Sequence, residues 1–129
     1  VKATTNDSVQ DVKPVLSVED IKFYQGLVRR VPVPDNVVEY AVKLAGRTRP
    51  GLNGAPAIIN DNVSWGAGPR ASQFLVIGAK CHALVHGKYS PDIEDVQAVA
   101  KPILRHRLVR NYRAEAEGIT VDKIVEGVM

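Results

Sequence analysis

Gly68-Pro69 opens, and Gly87 closes, a stretch of sequence that holds no further proline and reads as one helix from Pro69 to about His86. Proline costs nothing at a first helical position, because that amide has no partner inside the helix, and glycine just past the last turn accepts the left-handed backbone that stops it. Apolar residues occupy most of the circumference of this helix. A helix of that kind is central in a small domain, with the other elements packed around it.

The remaining apolar residues fall at helical spacing in shorter segments. Ser17 offers an N-cap oxygen to a first turn carrying Glu19 and Asp20, and Val18, Ile21, Tyr24, Leu27 and Val28 follow to about Arg30. Val31-Pro-Val-Pro-Asp35 breaks this helix; Asp35 is the expected cap of a second, whose stripe is Val38, Ala41, Val42 and Ala45 and whose end lies near Gly46. Asp92 caps a fourth helix with Asp95 three residues on, its inner face Ile93, Val96, Val99, Ala100 and Ile103, until Pro102 kinks or divides it. Thr120 caps a last helix over Val121–Val128 with Ile124, Val125 and Val128 inward. Between the second and third helices, 49–65 carries Pro50, Gly51, Asn53, Gly54, Pro56, Asn60 and Asn62, a long loop with at most one short strand at Ala57–Ile59. The expected fold is all-α, a small bundle of about five helices with a long loop before the central one.

Composition sets bounds on this reading. At 129 residues and 45% apolar content the chain is one domain with a real core. Residues 1–16 show no sustained period and read as a linker, leaving 17–129 as the folded part; the Val1 start suggests a piece of a longer protein whose preceding domain the linker follows. The formal charge is +3, but Lys and Arg alternate with acids and form no nucleic-acid-binding run. Cys81 is the single cysteine, which excludes an internal disulfide and a multi-cysteine metal site, and with no signal-peptide pattern favours a cytoplasmic setting. The longest apolar stretch, Phe74 to Val85, is interrupted by Lys80 and His82 and is too short to span a membrane.

The chemistry-bearing segment is Trp65-Gly-Ala-Gly-Pro-Arg-Ala-Ser72, which places Arg70 in the first turn of the central helix, after a glycine-bearing loop. A guanidinium keeps its charge at physiological pH and presents a planar fork of donors, and first-turn amides add partial positive charge, so phosphate is a natural ligand. The plain alternative is a surface arginine paired with a carboxylate. No G-x-x-x-x-G-K-[ST] loop is present in this chain, so no catalytic residue is assigned to it in isolation and no metal site of its own.

Gly66-Ala-Gly-Pro-Arg-Ala71 resembles the sensor-two segment of the MoxR family of AAA+ ATPases, usually Gly-Ala-Ser-Pro-Arg-Ala. Gly68 stands where that pattern has Ser, which removes a side-chain cap; the arginine position is intact. Val31-Pro-Val-Pro-Asp35, Tyr40 with Thr48-Arg49, Ala79-Lys80 with Ala83-Leu84 and Gly87, and Ile103-Leu-Arg-His-Arg-Leu108 are similar to the family in the same order, from about Leu16 to Val128. The resemblance implies the C-terminal helical lid of such an ATPase, closing over ATP and Mg held mainly by a core in the same polypeptide. Arg70 would lie near the γ-phosphate, with Gly68, Pro69 and Ala71 as its helix start. It further implies a homo-oligomeric ring, a chaperone-like role in protein maturation, and a partner with a von Willebrand factor A domain.

Several residues keep two readings. Arg47 and Arg49, at the mouth of the long loop, stand either for contact with a neighbouring subunit or for plain exposure. Trp65 packs the loop against the helices or rims the nucleotide pocket. Arg105, His106, Arg107, Arg110 and Arg113 are a solvated helix end paired with acids such as Glu115 and Glu117, or a basic face for nucleic acid or an acidic protein, in which case the chain is a free-standing binding module. Nucleic acid is not the expected partner. Cys81-His82 is not a nucleophile or metal pair, because adjacent helical residues diverge by about 100°.

Overall fold

The computed structural model describes residues 13–129, so the expected linker over 1–16 lies for the most part outside the described residues. Helix α1 (Val18–Arg30) starts on a capping box: the Asp20 amide donates to Ser17 Oγ at 3.1 Å and the Ser17 amide to Asp20 Oδ2 at 2.9 Å. It buries none of its residues, and Val18, Ile21, Phe23 and Tyr24 are exposed. The apolar spacing that marks it as a helix therefore does not mark a core face within this chain.

Helix α2 (Asp35–Arg47) begins one residue earlier than a cap at Asp35 requires: Pro34 is the N-cap, and Asp35 sits in the first turn, where its charge meets the helix dipole. Its buried residues are Val37, Ala41, Leu44 and Ala45, while Val42 is exposed, so the inner stripe is rotated from the expected Val38/Val42 face. The 49–65 segment is not one loop. Ala57–Asn62 forms helix α3 where a strand was expected, and the strand, β1, is Val63–Trp65. Ile59 is buried completely, which anchors this six-residue helix that is too short to show a period.

Helix α4 (Pro69–Val85) is the rod expected at the centre, buried along Ala71, Leu75, Ala79 and Ala83 at intervals of four. It is not enclosed all round: Phe74, Cys81 and Val85 are exposed. The small residues let α5 (Ile93–Leu104) approach closely, and a Cβ at Gly78 would stand 2.8 Å from Ile103 Cδ1. His82 meets Asp95, Gly78 meets Val99 and Ile103, and Phe74 meets Arg107, so the two elements run antiparallel. Pro102 does not divide α5. It falls in the last turns, on the exposed side, where water can satisfy the carbonyl its missing amide leaves free.

Strand β2 (Val109–Arg110) pairs antiparallel with β1, Val63 opposite Arg110 and Trp65 opposite Val109. Helix α6 (Tyr112–Ala116), capped by Asn111, was not expected; α7 (Val121–Glu126), capped by Thr120, was, although it ends before Val128. Seven helices and one two-stranded ribbon are thus found among the described residues, the two unexpected helices being short. The all-α class holds, with Leu44, Ile59, Leu75, Leu104 and Ile124 as the largest fully buried side chains of one core. No described helix is long and apolar enough to cross a membrane.

Candidate functional site

The loop that delivers the start of α4 is tied to the end of α2. Thr48, fully buried, donates its hydroxyl to the Ala45 carbonyl at 2.7 Å and accepts the Ala67 amide at 2.9 Å. Arg49 Nε donates to the Ala67 carbonyl at 2.8 Å, so both backbone polar groups of Ala67 are held by neighbouring side chains. Gly66 lies so close to the end of α2 that a Cβ would collide with the Thr48 backbone carbonyl oxygen. Ala67 and Ala71 are buried. Gly66 and both alanines of the sensor-like segment are therefore there for close packing, while Gly68, Pro69 and Arg70 are exposed and Arg70 is the charged member among them.

Arg70 is exposed in the first turn and makes no ion pair among the described residues. Gly68 is the N-cap, extended at φ −81°, ψ 178°, with no side-chain cap, and Pro69 occupies the first helical position. The Arg70 amide thus faces outward with no cap to satisfy it, next to its own guanidinium. That donor set fits a phosphate oxygen: fixed amide, mobile cation, and no acid in competition. A Cβ at Gly68 meets nothing within 4 Å, so Gly68→Ser restores a capping hydroxyl and is expected to raise stability by a few tenths of a kcal/mol, read as the urea midpoint.

A cleft of about 490 Å³ lies on the α2 side of the loop, walled by Arg49, Pro50, Leu52, Trp65 and Gly66 and reaching Pro69. Trp65 is 74% exposed, so it does not pack the loop against the helices; it stands at the rim of this cleft. Arg47 is exposed at the end of α2, whereas Arg49 is half-buried and committed through Nε to the loop.

The basic tract after α5 is mostly spent within the chain. Arg105 holds Asp122 through two bonds of 2.7 Å, which lowers that carboxyl's pKa and raises the guanidinium's. Arg113 pairs with Glu117, as expected, and Arg110 donates to the Ile119 carbonyl at 2.8 Å. A continuous free basic face is therefore not formed. Arg107 is different: its guanidinium carbon stands 5.0 Å from the centroid of the Phe74 ring, and it has no acidic partner among the described residues. Sequence spacing gave no sign of this, because Phe74 and Arg107 belong to different elements.

Cys81 is exposed, and His82 turns to the carboxylate of Asp95, so the two do not cooperate. No cluster of three metal-ligating side chains occurs among the described residues.

The AAA lid domain family matches residues 55–128. Chaperone MoxR1 of Mycobacterium tuberculosis is 35% identical over 121 residues, which cover 91% of this chain and 31% of that protein. The uncharacterised protein YeaC of Bacillus subtilis is 31% identical over 121 residues, 94% of this chain and 35% of YeaC. A crystal structure of a candidate ATPase from Cytophaga hutchinsonii superposes with a TM-score of 0.85 at 29% identity, over 98% of this chain and 39% of that one. The chain thus spans about a third of the length of the relatives it matches.

Proposed function

The chain belongs to the AAA lid domain family, as a lid of the MoxR type, and on that premise we propose that it closes over a nucleotide held by an ATP-binding core in the same polypeptide, presenting Arg70 to the γ-phosphate. The observation that carries this reading is an exposed, unpaired Arg70 on a helix start whose loop is clamped by Thr48 and Arg49. Because the loop is held through both backbone polar groups of Ala67, Arg70 moves with the bundle as a rigid body. Closure then brings one charge to one place, which is how a fixed cation stabilises the charge of a transferring phosphoryl group without reorganisation.

ATP supplies the phosphoryl group and Mg its metal counter-charge, both bound mainly by the core; this chain contributes the guanidinium and the Arg70 amide. A ring of several copies, a chaperone-like role in maturing other proteins, a partner with a von Willebrand factor A domain and a cytoplasmic setting belong to the same proposal, supported by the similarity to chaperone MoxR1. Arg47, exposed at the end of α2, is the residue of the loop mouth left free for a neighbouring subunit.

Arg70→Ala, made in the polypeptide as its gene encodes it, is expected to slow ATP hydrolysis about tenfold or more. The melting temperature stays unchanged, since Arg70 touches nothing in the core. A variant that hydrolyses ATP at the wild-type rate would reduce Arg70 to a surface residue.

A further inference from the structure

The antiparallel packing of α4 and α5 returns the chain after Leu104 to the first turns of α4. Arg107 lies over Phe74 there, and Phe74 stands one helical turn after Arg70 on the same face. Two guanidinium groups from segments remote in sequence are thereby brought to one corner of the bundle. Neither has an acidic partner among the described residues, whereas Arg105 and Arg113 in the same tract each hold a carboxylate. The Nε atom of Arg107 is buried and makes no hydrogen bond, while its terminal nitrogens are neither bonded nor sealed off. The side chain is thus oriented by the aromatic ring, not by an anion of its own, and its remaining donors are left for one.

We propose that Arg107 is a second phosphate-binding residue, acting with Arg70 on the phosphates of the bound nucleotide and carried to the site by Phe74. This rests on the lid reading given above. A ring beneath a guanidinium costs little to desolvate and fixes its plane, so Arg107 meets an anion with less ordering cost than a free surface arginine. Two cations directed to one corner match a polyphosphate chain, which carries charge on each of its successive phosphate groups, better than a single carboxylate.

The test is the affinity of the gene-encoded polypeptide for magnesium adenylyl-imidodiphosphate, compared among wild type, Arg70→Ala, Arg107→Gln and Arg107→Lys. Arg107→Gln is expected to weaken binding about tenfold, and Arg107→Lys, which keeps the charge but not the planar fork, to recover part of that loss. Loss in Arg70→Ala with none in Arg107→Gln removes Arg107 from the site and leaves the Arg70 reading standing. Loss in neither overturns both, and equal loss in the Lys and Gln variants makes Arg107 a packing residue and overturns the proposal. Should Arg107→Gln lower the melting temperature, Phe74→Leu decides the matter, since it keeps both charges and removes only the platform: about threefold weaker binding is expected, and unchanged affinity overturns the proposal.

Discussion

Asp95→Ala is expected to destabilise the chain by about 3 kcal/mol, a fall of roughly 10 °C in melting temperature. Asp95 is fully buried, yet each of its oxygens is used: Oδ1 accepts from His82 Nδ1 at 2.6 Å, and Oδ2 from Lys88 Nζ at 3.1 Å and from the Asp92 amide at 2.9 Å. A carboxylate only accepts, so the proton of His82 that faces it sits on Nδ1. One side chain thereby joins α4, the 86–92 turn and the capping box of α5. Removing it leaves two donors, the His82 Nδ1–H and the Asp92 amide, without partners, while Lys88 keeps Asp92 Oδ2 at 2.9 Å. His82 and Lys88 are each about a third exposed and regain water, which keeps the loss nearer 3 than 5 kcal/mol. A melting temperature within 2 °C or so of wild type would mean that the α4–α5 hairpin is held by its apolar contacts alone.

The same carboxyl predicts an acid-sensitive limb. Burial pushes its pKa up, but the Asp92 amide, His82 and Lys88 outweigh burial and bring it down to about 2 from the ordinary 3.8. In that window the unfolded chain binds the proton more readily than the folded one, so stability is complete above the ordinary value and drains as pH falls through about 2. Asp95→Asn is expected to flatten this limb in urea titrations taken between those values.

Gly66→Ala is expected to cost roughly 3 kcal/mol and to displace Arg70 as well. The added Cβ would collide with the Thr48 backbone carbonyl oxygen and lie 2.6 Å from its carbonyl carbon and 2.7 Å from the Arg49 Cα, all of them backbone atoms that no rotamer change can move. The 66–68 loop must lift away, breaking the bonds from Ala67 to Thr48 and Arg49. Stability and function are coupled here, unlike in Arg70→Ala: Gly66→Ala should lower the urea midpoint and, in the full polypeptide, slow ATP hydrolysis too. An unchanged midpoint would show that the loop accommodates a methyl group and that the clamp is slack.

Helix starts at Ser17, Asp92 and Thr120, and the stop after α4, were legible in the sequence because a cap joins residues three or four positions apart. Arg70 was legible for the same reason, as an arginine one residue past a Gly-Pro start. Its family resemblance was carried by a segment in which Gly66, Ala67 and Ala71 prove to be packing residues. The buried face of α2 was legible only in part: Ala41 and Ala45 lie inward as expected, but a shift of one position turns a helix by about 100°, and both Val38/Val42 and Val37/Leu44 can flank them until α4 and α5 settle which lies inward. Helix α3 and the β1–β2 ribbon escaped because each is too short to show a period and takes its stability from partners elsewhere, Val63 opposite Arg110 and Ile59 in the shared core. The Thr48–Ala67 clamp spans 19 residues, and the Phe74–Arg107 stack joins two different elements. Local sequence determined where helices begin and that Arg70 falls in a first turn; only tertiary packing decided what holds the loop before that arginine and which ring Arg107 lies over, because those contacts exist only once the end of α2 has met the loop before α4 and the segment after α5 has returned to α4.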